Sequence, residues 1–354
     1  MYKMNCVLKT YDLSIGYHLK RGEDKILHRN IGLDLYGGEI TCLLGPNGSG
    51  KSTLIRTFSG FQAALGGDLL INEKSLNQYS AKELAKVVSV VLTEHPVVGQ
   101  MNVFSMVAFG RSPYTGFLGK LAKEDYHIIE KALENAGITE LRNRQFQSLS
   151  DGERQKVFIA KSLAQETPLM FLDEPTAFLD FPSKVEILQL LRKTAWEQNK
   201  AILLSTHDLN LALQFADKIW LMGQDKPIVT GVPEDLVLSG KFANYFDHKN
   251  ISFDKTTGTF TFDAATKQAI VVSGQHIKLD WLKKALHRKG FEVLNENGGS
   301  EPLTLVRFNL EKDVFELKLD NSVNGFNHIE ELIEFLLGGE SNTTSLATPS
   351  RSGS

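Results

Sequence analysis

The chain has 354 residues, 42% hydrophobic and 23% charged, with 39 Lys and Arg against 42 Asp and Glu for a net charge of −3. That length sets a prior of about two domains and can bury a core without disulfide or metal staples, while the charge balance argues against a broadly basic nucleic-acid binder. No apolar run reaches the roughly 18–20 residues of a spanning helix, and the opening MYKMNCVLKTYD lacks the apolar core of a signal peptide.

Only two cysteines occur, Cys6 and Cys42, and neither has a CxxC partner. Cys42 falls in the apolar run ITCLLG and reads as a small core residue in a reducing, cytosolic setting.

Apolar runs without alternation recur at Ile40 to Leu44, Leu169 to Leu172 and Ala201 to Leu204. Such runs predict strands buried on both faces, as in a parallel sheet covered by helices. Helical patterns stand between them, at Thr53 to Ser59, Asp125 to Ala136 with Gly137 as its stop, Glu153 to Gln165, and Lys184 to Glu197. Strands alternating with helices predict an α/β core.

The pattern changes near residue 248. Ser252 to Phe262 alternates around a turn at Thr256-Thr257-Gly258, and a short strand is expected at Ala269 to Val272. A helix follows from about Trp281 to Lys289 with Asp280 as its N-cap, and Trp281, Leu282 and Ala285 read as core. A strand pair at Leu303 to Phe308 and Val314 to Leu319 and a closing helix at His328 to Leu337 complete a small α+β unit. The expected domains are therefore 1–248, 249–340 and a polar, disordered tail at 341–354. His276, His287 and His328 show no metal-ligand spacing, and the second unit carries no recognisable ligand constellation, so its role stays open.

Gly45, Pro46, Asn47, Gly48, Ser49, Gly50, Lys51, Ser52 and Thr53 fit GxxxxGK[ST] in full, directly after a strand and before a helix. Glycines let the backbone approach phosphate oxygens, and the loop N–H groups and helix N-terminus supply positive partial charge. Lys51 is expected to reach the β- and γ-phosphates, and Ser52 to place its hydroxyl on Mg²⁺.

The strand Leu169-Met170-Phe171-Leu172 ends in Asp173 and Glu174. Ligands of open α/β sheets sit at the carboxyl ends of strands. Asp173 suits a hold on Mg²⁺, and Glu174 suits polarising an attacking water.

Leu149-Ser150-Asp151-Gly152-Glu153-Arg154-Gln155 opens a helix. Ser150 and Gly152 there make a second anion cradle, and Ser150 with Glu153 also fits a capping box. This segment resembles the LSGGQ signature of ABC-transporter ATPases. The family's other motifs stand in order: Tyr17 in LSIGY, the phosphate loop, the acidic strand end, Ala177-Phe178-Leu179-Asp180 as the D-loop, and Thr206-His207-Asp208 after AILLS. The resemblance covers about residues 5–245.

It implies an ABC ATPase fold: a P-loop NTPase with a mainly parallel core sheet, an antiparallel β subdomain and a helical subdomain. It further implies that Tyr17 stacks on adenine and that Glu174 and His207 are catalytic. Ser150, Gly152, Glu153 and Asp180 would contact ATP from a second copy, so that ATP closes a homodimer and hydrolysis reopens it. Two departures stand out. The signature has Asp151 for the usual Gly and Glu153 for the usual Gln. No Gln stands at Val90-Val91-Leu92-Thr93-Glu94, so Thr93 or Glu94 takes the place of the glutamine loop, with Glu94 a candidate Mg²⁺ ligand.

One phosphate loop and no hydrophobic span imply a separate ATPase subunit, and the lack of a long heptad insertion disfavours the family's chromosome-maintenance and DNA-repair relatives. The stretch Gly110-Arg111-Ser112-Pro113-Tyr114-Thr115-Gly116-Phe117-Leu118-Gly119 is similar to that of bacterial importers for ferric siderophores, haem and cobalamin. The resemblance implies a membrane permease partner contacted around 95–119, with Phe117 and Leu118 as apolar contacts, and a substrate-binding protein acting indirectly. No nucleic-acid partner is expected. The expected place is the cytoplasmic face of the inner membrane, peripherally bound. The alternative is a soluble ABC-type switch acting on a protein or nucleic-acid partner without a permease.

Overall fold

The computed structural model describes residues 5–19, 24–92, 100–116, 119–224, 226–246, 251–255, 258–262, 268–294, 304–319, 322–338 and 344–345. The chain divides into two units, Met1–Asp247 with Phe253–Thr259, and His248–Ser252 with Phe260–Ser354.

In the first unit a six-stranded sheet runs in the order Val229–Gly231, Lys218–Leu221, Ile40–Leu44, Ala201–Ser205, Leu169–Asp173, Val88–Val91. All its neighbours are parallel except the edge pair of Val229–Gly231 with Lys218–Leu221. Ile40–Leu44 and Ala201–Ser205 are buried at every position, which is why their sequences show no alternation. Cys42 lies inside this sheet, and burial pushes its thiol up to about 12.

A second, antiparallel sheet contains Asp24–Ile31, Cys6–His18, Gly66–Ile71 and Lys74–Ser75, with Asp34–Tyr36 also paired to Cys6–His18. The helix Lys51–Phe58 shares one core with both sheets: Leu54, Ile55 and Phe58 pack with Leu8, Leu13 and Ile71, and with Leu43, Phe171 and Trp220. Phe58 meets Trp220 edge-on, with centroids 6.2 Å apart. Burying one such ring contributes about 2–3 kcal/mol. The phosphate-loop helix is thereby fixed from both sides.

Helices Val103–Ala108, Lys123–Asn135 and Asp151–Ala164 pack together as a helical layer. Asp151–Ala164 and Phe181–Gln198 both begin earlier than their apolar periodicity indicates, because Ser150 and Asp180 cap them. Capping residues are polar and add nothing to a hydrophobic stripe.

In the second unit the sheet order is Phe291–Leu294, Gln268–Ser273, Thr304–Asn309, Val314–Leu319, Ser322–Phe326, Thr344–Ser345. The first three strands are parallel and the rest antiparallel. Helices Ile277–Arg288 and Ile329–Leu336 supply Leu282, Leu286 and Leu332 to a core with Ile270, Val306 and Leu317.

Three expectations change here. The first helix starts at Ile277 with His276 as N-cap, its side chain accepting the Lys278 N–H, and Asp280 falls in the first turn. Trp281 is 58% exposed rather than core. The buried positions are Leu279, Leu282, Ala285 and Leu286, spaced by three and four, and Trp281 lies a helical step off that stripe. Thr344–Ser345 pairs with Asn324 and Gly325, inside the tail expected to be disordered. The rest of that tail lies outside the described residues.

Candidate functional site

Three neighbouring parallel strands end at the same edge of the core sheet. Ile40–Leu44 leads into the phosphate loop, Leu169–Asp173 ends on the acidic pair, and Ala201–Ser205 leads into Thr206-His207. The register sets Asp173 opposite Ser205, and Ser205 opposite Leu43.

The phosphate loop is shaped by its glycines. A Cβ on Gly45 would stand 2.0 Å from the Met222 carbonyl oxygen, so that position admits no side chain. Gly50 caps the helix Lys51–Phe58 at φ 101° with no side-chain hydrogen bond to the first turn. The first N–H groups of a helix need outside acceptors, and a phosphate would meet that need. The buried Ser49 hydroxyl also lacks a hydrogen-bond partner. His28 Nε2 donates to the Ser49 carbonyl at 2.8 Å and braces the loop from the antiparallel sheet.

Lys51 is 6% exposed. Its ammonium donates to the carbonyls of Gly45 at 2.8 Å and Pro46 at 3.2 Å. Burial pushes its pKa down, and the nearby Glu174 and Asp173 carboxylates act against that. Tyr17, half-exposed, shares a 2.6 Å hydrogen bond with the Thr53 hydroxyl.

At the acidic strand end, the Ser205 hydroxyl donates to Asp173 Oδ1 at 2.6 Å, and the Glu174 N–H donates to Ser205 Oγ at 2.9 Å. Glu174 Oε1 and His207 Nε2 are 2.5 Å apart. The structure thus gathers Lys51, Asp173, Glu174 and His207 at one edge.

At the signature, Ser150 accepts the Glu153 N–H, while Glu153 Oε2 accepts the Ser150 N–H at 2.8 Å. That backbone donor holds the Glu153 carboxyl below the usual carboxylate range. Asp151 pairs with Arg154 at 3.3 Å. A Cβ on Gly152 would lie 3.2 Å from Ser183 Oγ. Ser183 N–H is capped by Asp180 at 3.1 Å, so the signature and the D-loop start their helices side by side.

Comparison with known proteins follows the same outline. Residues 28–177 match the family model described as ABC transporter. An uncharacterized ABC transporter ATP-binding protein of Methanocaldococcus jannaschii is 41% identical over 254 residues, covering 72% of this chain and 86% of that protein. The chain belongs to the ABC transporter ATP-binding family.

The iron(3+)-hydroxamate import ATP-binding protein FhuC of Bacillus subtilis is 39% identical over 209 residues, 59% of this chain and 76% of that one. An inward-facing structure assigned to the metal-chelate type of ABC transporter is 28% identical, with TM-score 0.59, covering 68% of this chain and 89% of that one. Residues 266–337 match a model described as iron ABC transporter C-terminal domain. The second unit, for which its sequence offered no resemblance, is thus similar to that C-terminal domain. The first is an ABC ATPase that binds ATP and couples its hydrolysis to transport.

Two residues that brace this ABC ATPase site carry no motif, and two others have contacts that their motifs do not foretell. His28 and Ser205 are the first two, and the only signal for Ser205 was its place as the polar end of an apolar strand. Asp208 caps the helix Leu209–Phe215 and pairs with Lys184 at 3.2 Å, tying the segment Thr206-His207-Asp208 to the helix that Asp180 caps. Arg111, buried, donates to Asp125 at 2.8 Å, to Glu166 at 2.8 Å and to the carbonyl of Ala164 at 2.8 Å. It closes the carboxyl end of the signature helix, where a cation suits the helix dipole.

Thr93 and Glu94 lie outside the described residues, as do Phe117 and Leu118. Among the described residues no group of three or more His, Cys, Asp or Glu could hold a metal on its own. Mg²⁺ in nucleotide sites takes one or two carboxylates and borrows phosphate oxygens and water. A carboxylate from Asp173 and a hydroxyl from Ser52 fit that donor set.

Proposed function

We propose that this chain is the ATP-hydrolysing subunit that powers import of a metal chelate of the ferric-siderophore, haem or cobalamin class through a partner permease. The carrying observation is the pairing of the two units: an ATPase similar to an iron(3+)-hydroxamate import protein, followed by an iron ABC transporter C-terminal domain. No helix among the described residues is long and apolar enough to cross a membrane, and in this reading the partner permease provides the permeation path. The subunit would sit peripherally at the cytoplasmic face of the inner membrane. Its permease contact falls around 95–119, and a substrate-binding protein delivers the chelate to that permease.

In this reading Lys51 turns from the Gly45 and Pro46 carbonyls to the β- and γ-phosphates, and the uncapped N–H groups of its helix receive phosphate oxygens. Tyr17 stacks on adenine. Ser52 and Asp173 hold Mg²⁺, which offsets phosphate charge when bound. Glu174 orients the attacking water and accepts its proton, and His207 holds Glu174 and touches the γ-phosphate. Ser150, Gly152, Glu153 and Asp180 reach the ATP of a second copy, so the pair closes with ATP and opens once the γ-phosphate leaves.

The test is to purify tagged Glu174→Gln protein from its own membranes with ATP and Mg²⁺ and identify what accompanies it by mass spectrometry. A polytopic permease of the metal-chelate type is the expected companion. Soluble partners alone, with membranes free of the protein, would replace this reading with a permease-independent switch.

A further inference from the structure

Ser205 is fully buried at the end of the strand Ala201–Ser205. A serine hydroxyl has one proton to give and lone pairs to receive with, and here each use falls on a different acidic residue. The proton goes to Asp173 Oδ1 at 2.6 Å, and the oxygen takes the N–H of Glu174 at 2.9 Å. Sheet register enforces this, because Asp173 and Ser205 are direct Cα partners across parallel strands.

Glu174 also stands at φ 50°, a left-handed conformation that costs a non-glycine residue free energy and persists only where surroundings hold it. The Ser205 oxygen is one such holder. On the other side of the Glu174–His207 contact, Asp208 N–H donates to Thr206 Oγ1 at 3.1 Å, and Asp208 pairs with Lys184 at 3.2 Å. The histidine is thus tethered through its own loop, and the glutamate through Ser205.

We propose that Ser205 is a positioning residue for ATP hydrolysis: its one hydroxyl orients the Asp173 carboxylate for Mg²⁺ and fixes the backbone that aims Glu174. This rests on the ATPase reading above. Removing the hydroxyl takes one hydrogen bond from the Asp173 carboxylate and leaves the Glu174 N–H without this acceptor. Residues supporting metal ligands typically cost about 10- to 100-fold in metal affinity or activity when lost.

The test uses the full-length Ser205→Ala protein, in which one oxygen is lost and little volume changes. Three quantities are read beside wild type: kcat and KM for MgATP, the affinity for Mn²⁺ in the presence of a non-hydrolysable ATP analogue, and the affinity for that analogue in EDTA. The expected result is a kcat lowered about 10-fold or more, a weaker Mn²⁺ affinity, and unchanged metal-free nucleotide binding. Wild-type kcat and Mn²⁺ affinity would overturn the proposal. So would a parallel fall in metal-free nucleotide binding and thermal stability, or failure to fold, since each would make Ser205 a packing residue only. Wild-type protein without ATP turnover would instead sink the ATPase reading itself.

Discussion

His207 Nε2 and Glu174 Oε1 meet at 2.5 Å although 33 residues separate them in the chain. The contact exists because two parallel strands, Leu169–Asp173 and Ala201–Ser205, lie side by side and end together. It joins a carboxylate that can take a proton to an imidazole that can hold it in one orientation.

Glu174→Gln keeps the side-chain shape and removes the base. ATP binding is expected to persist while turnover falls about 100-fold or more, read by fluorescent-nucleotide titration beside single-turnover hydrolysis. His207→Ala should lower kcat with little change in nucleotide affinity, since Glu174 then loses its orienting partner. Near-wild-type turnover in Glu174→Gln would end the water-polarising role.

Lys51→Ala acts at an earlier step. Charge-assisted hydrogen bonds contribute roughly 1.5–3 kcal/mol, so nucleotide affinity is expected to fall about 10-fold or more. Gly45→Ala should reach the same end by a different route, because the new methyl would press on the Met222 carbonyl at 2.0 Å and displace the loop. Isothermal titration with ATP separates the two causes when combined with thermal melting: Gly45→Ala, which displaces the loop backbone, should melt earlier than Lys51→Ala.

The buried Arg111 serves three acceptors, so Arg111→Ala strands Asp125 in a buried position. Breaking such a pair costs about 3–5 kcal/mol, and chemical denaturation should show a loss of that order. Arg111→Lys should recover only part of it, because an ammonium lacks the planar fork. The sign with acid follows from Asp125, whose carboxyl the Arg111 hydrogen bond holds below the usual carboxylate range. That stability is present above the unfolded value near about 3.9 and is lost as pH falls through the lower folded one. The stability gap between wild type and Arg111→Ala should therefore be widest near neutral pH and narrow as pH falls through that range.

The parts of this site that can be read from sequence are those confined to a short stretch. The phosphate loop needs nine consecutive residues in one backbone path, and Ser150 with Glu153 caps its helix over one turn, so spacing alone exposes both. Ser205, His28 and Arg111 act on residues 31, 21 and 14 to 55 positions away. Those partners are set by sheet register and helix packing, which no local pattern encodes. Trp281 fails for a related reason: its neighbours Leu282 and Leu286 mark a buried stripe, but phase within the helix depends on where it starts. His276, not Asp280, sets that start. The second unit was legible as strands and helices, yet its family emerged only by comparison, because its core residues carry no chemistry.

Lys200 supplies a test of stability alone. It is 5% exposed, its ammonium donates to the Thr167 carbonyl, and burial pushes its pKa down to about 8. Between about pH 8 and the unfolded value near about 10.4, the unfolded chain carries a proton at this site that the folded protein has released. The Lys200 contribution to stability therefore rises with pH across that window, by up to about 3 kcal/mol, against an opposite contribution from the buried Cys42 thiol, which stays protonated when the unfolded one ionises. Below pH 8 both states are charged, and the full desolvation cost is present. Lys200→Met should remove the rise. At pH 7 it should also stabilise the protein, by less than the full amount because the Thr167 carbonyl loses a donor. Urea unfolding of both proteins from pH 7 to 10 gives the slopes directly. A Lys200→Met protein whose slope matches that of wild type would show that the ammonium reaches water in solution.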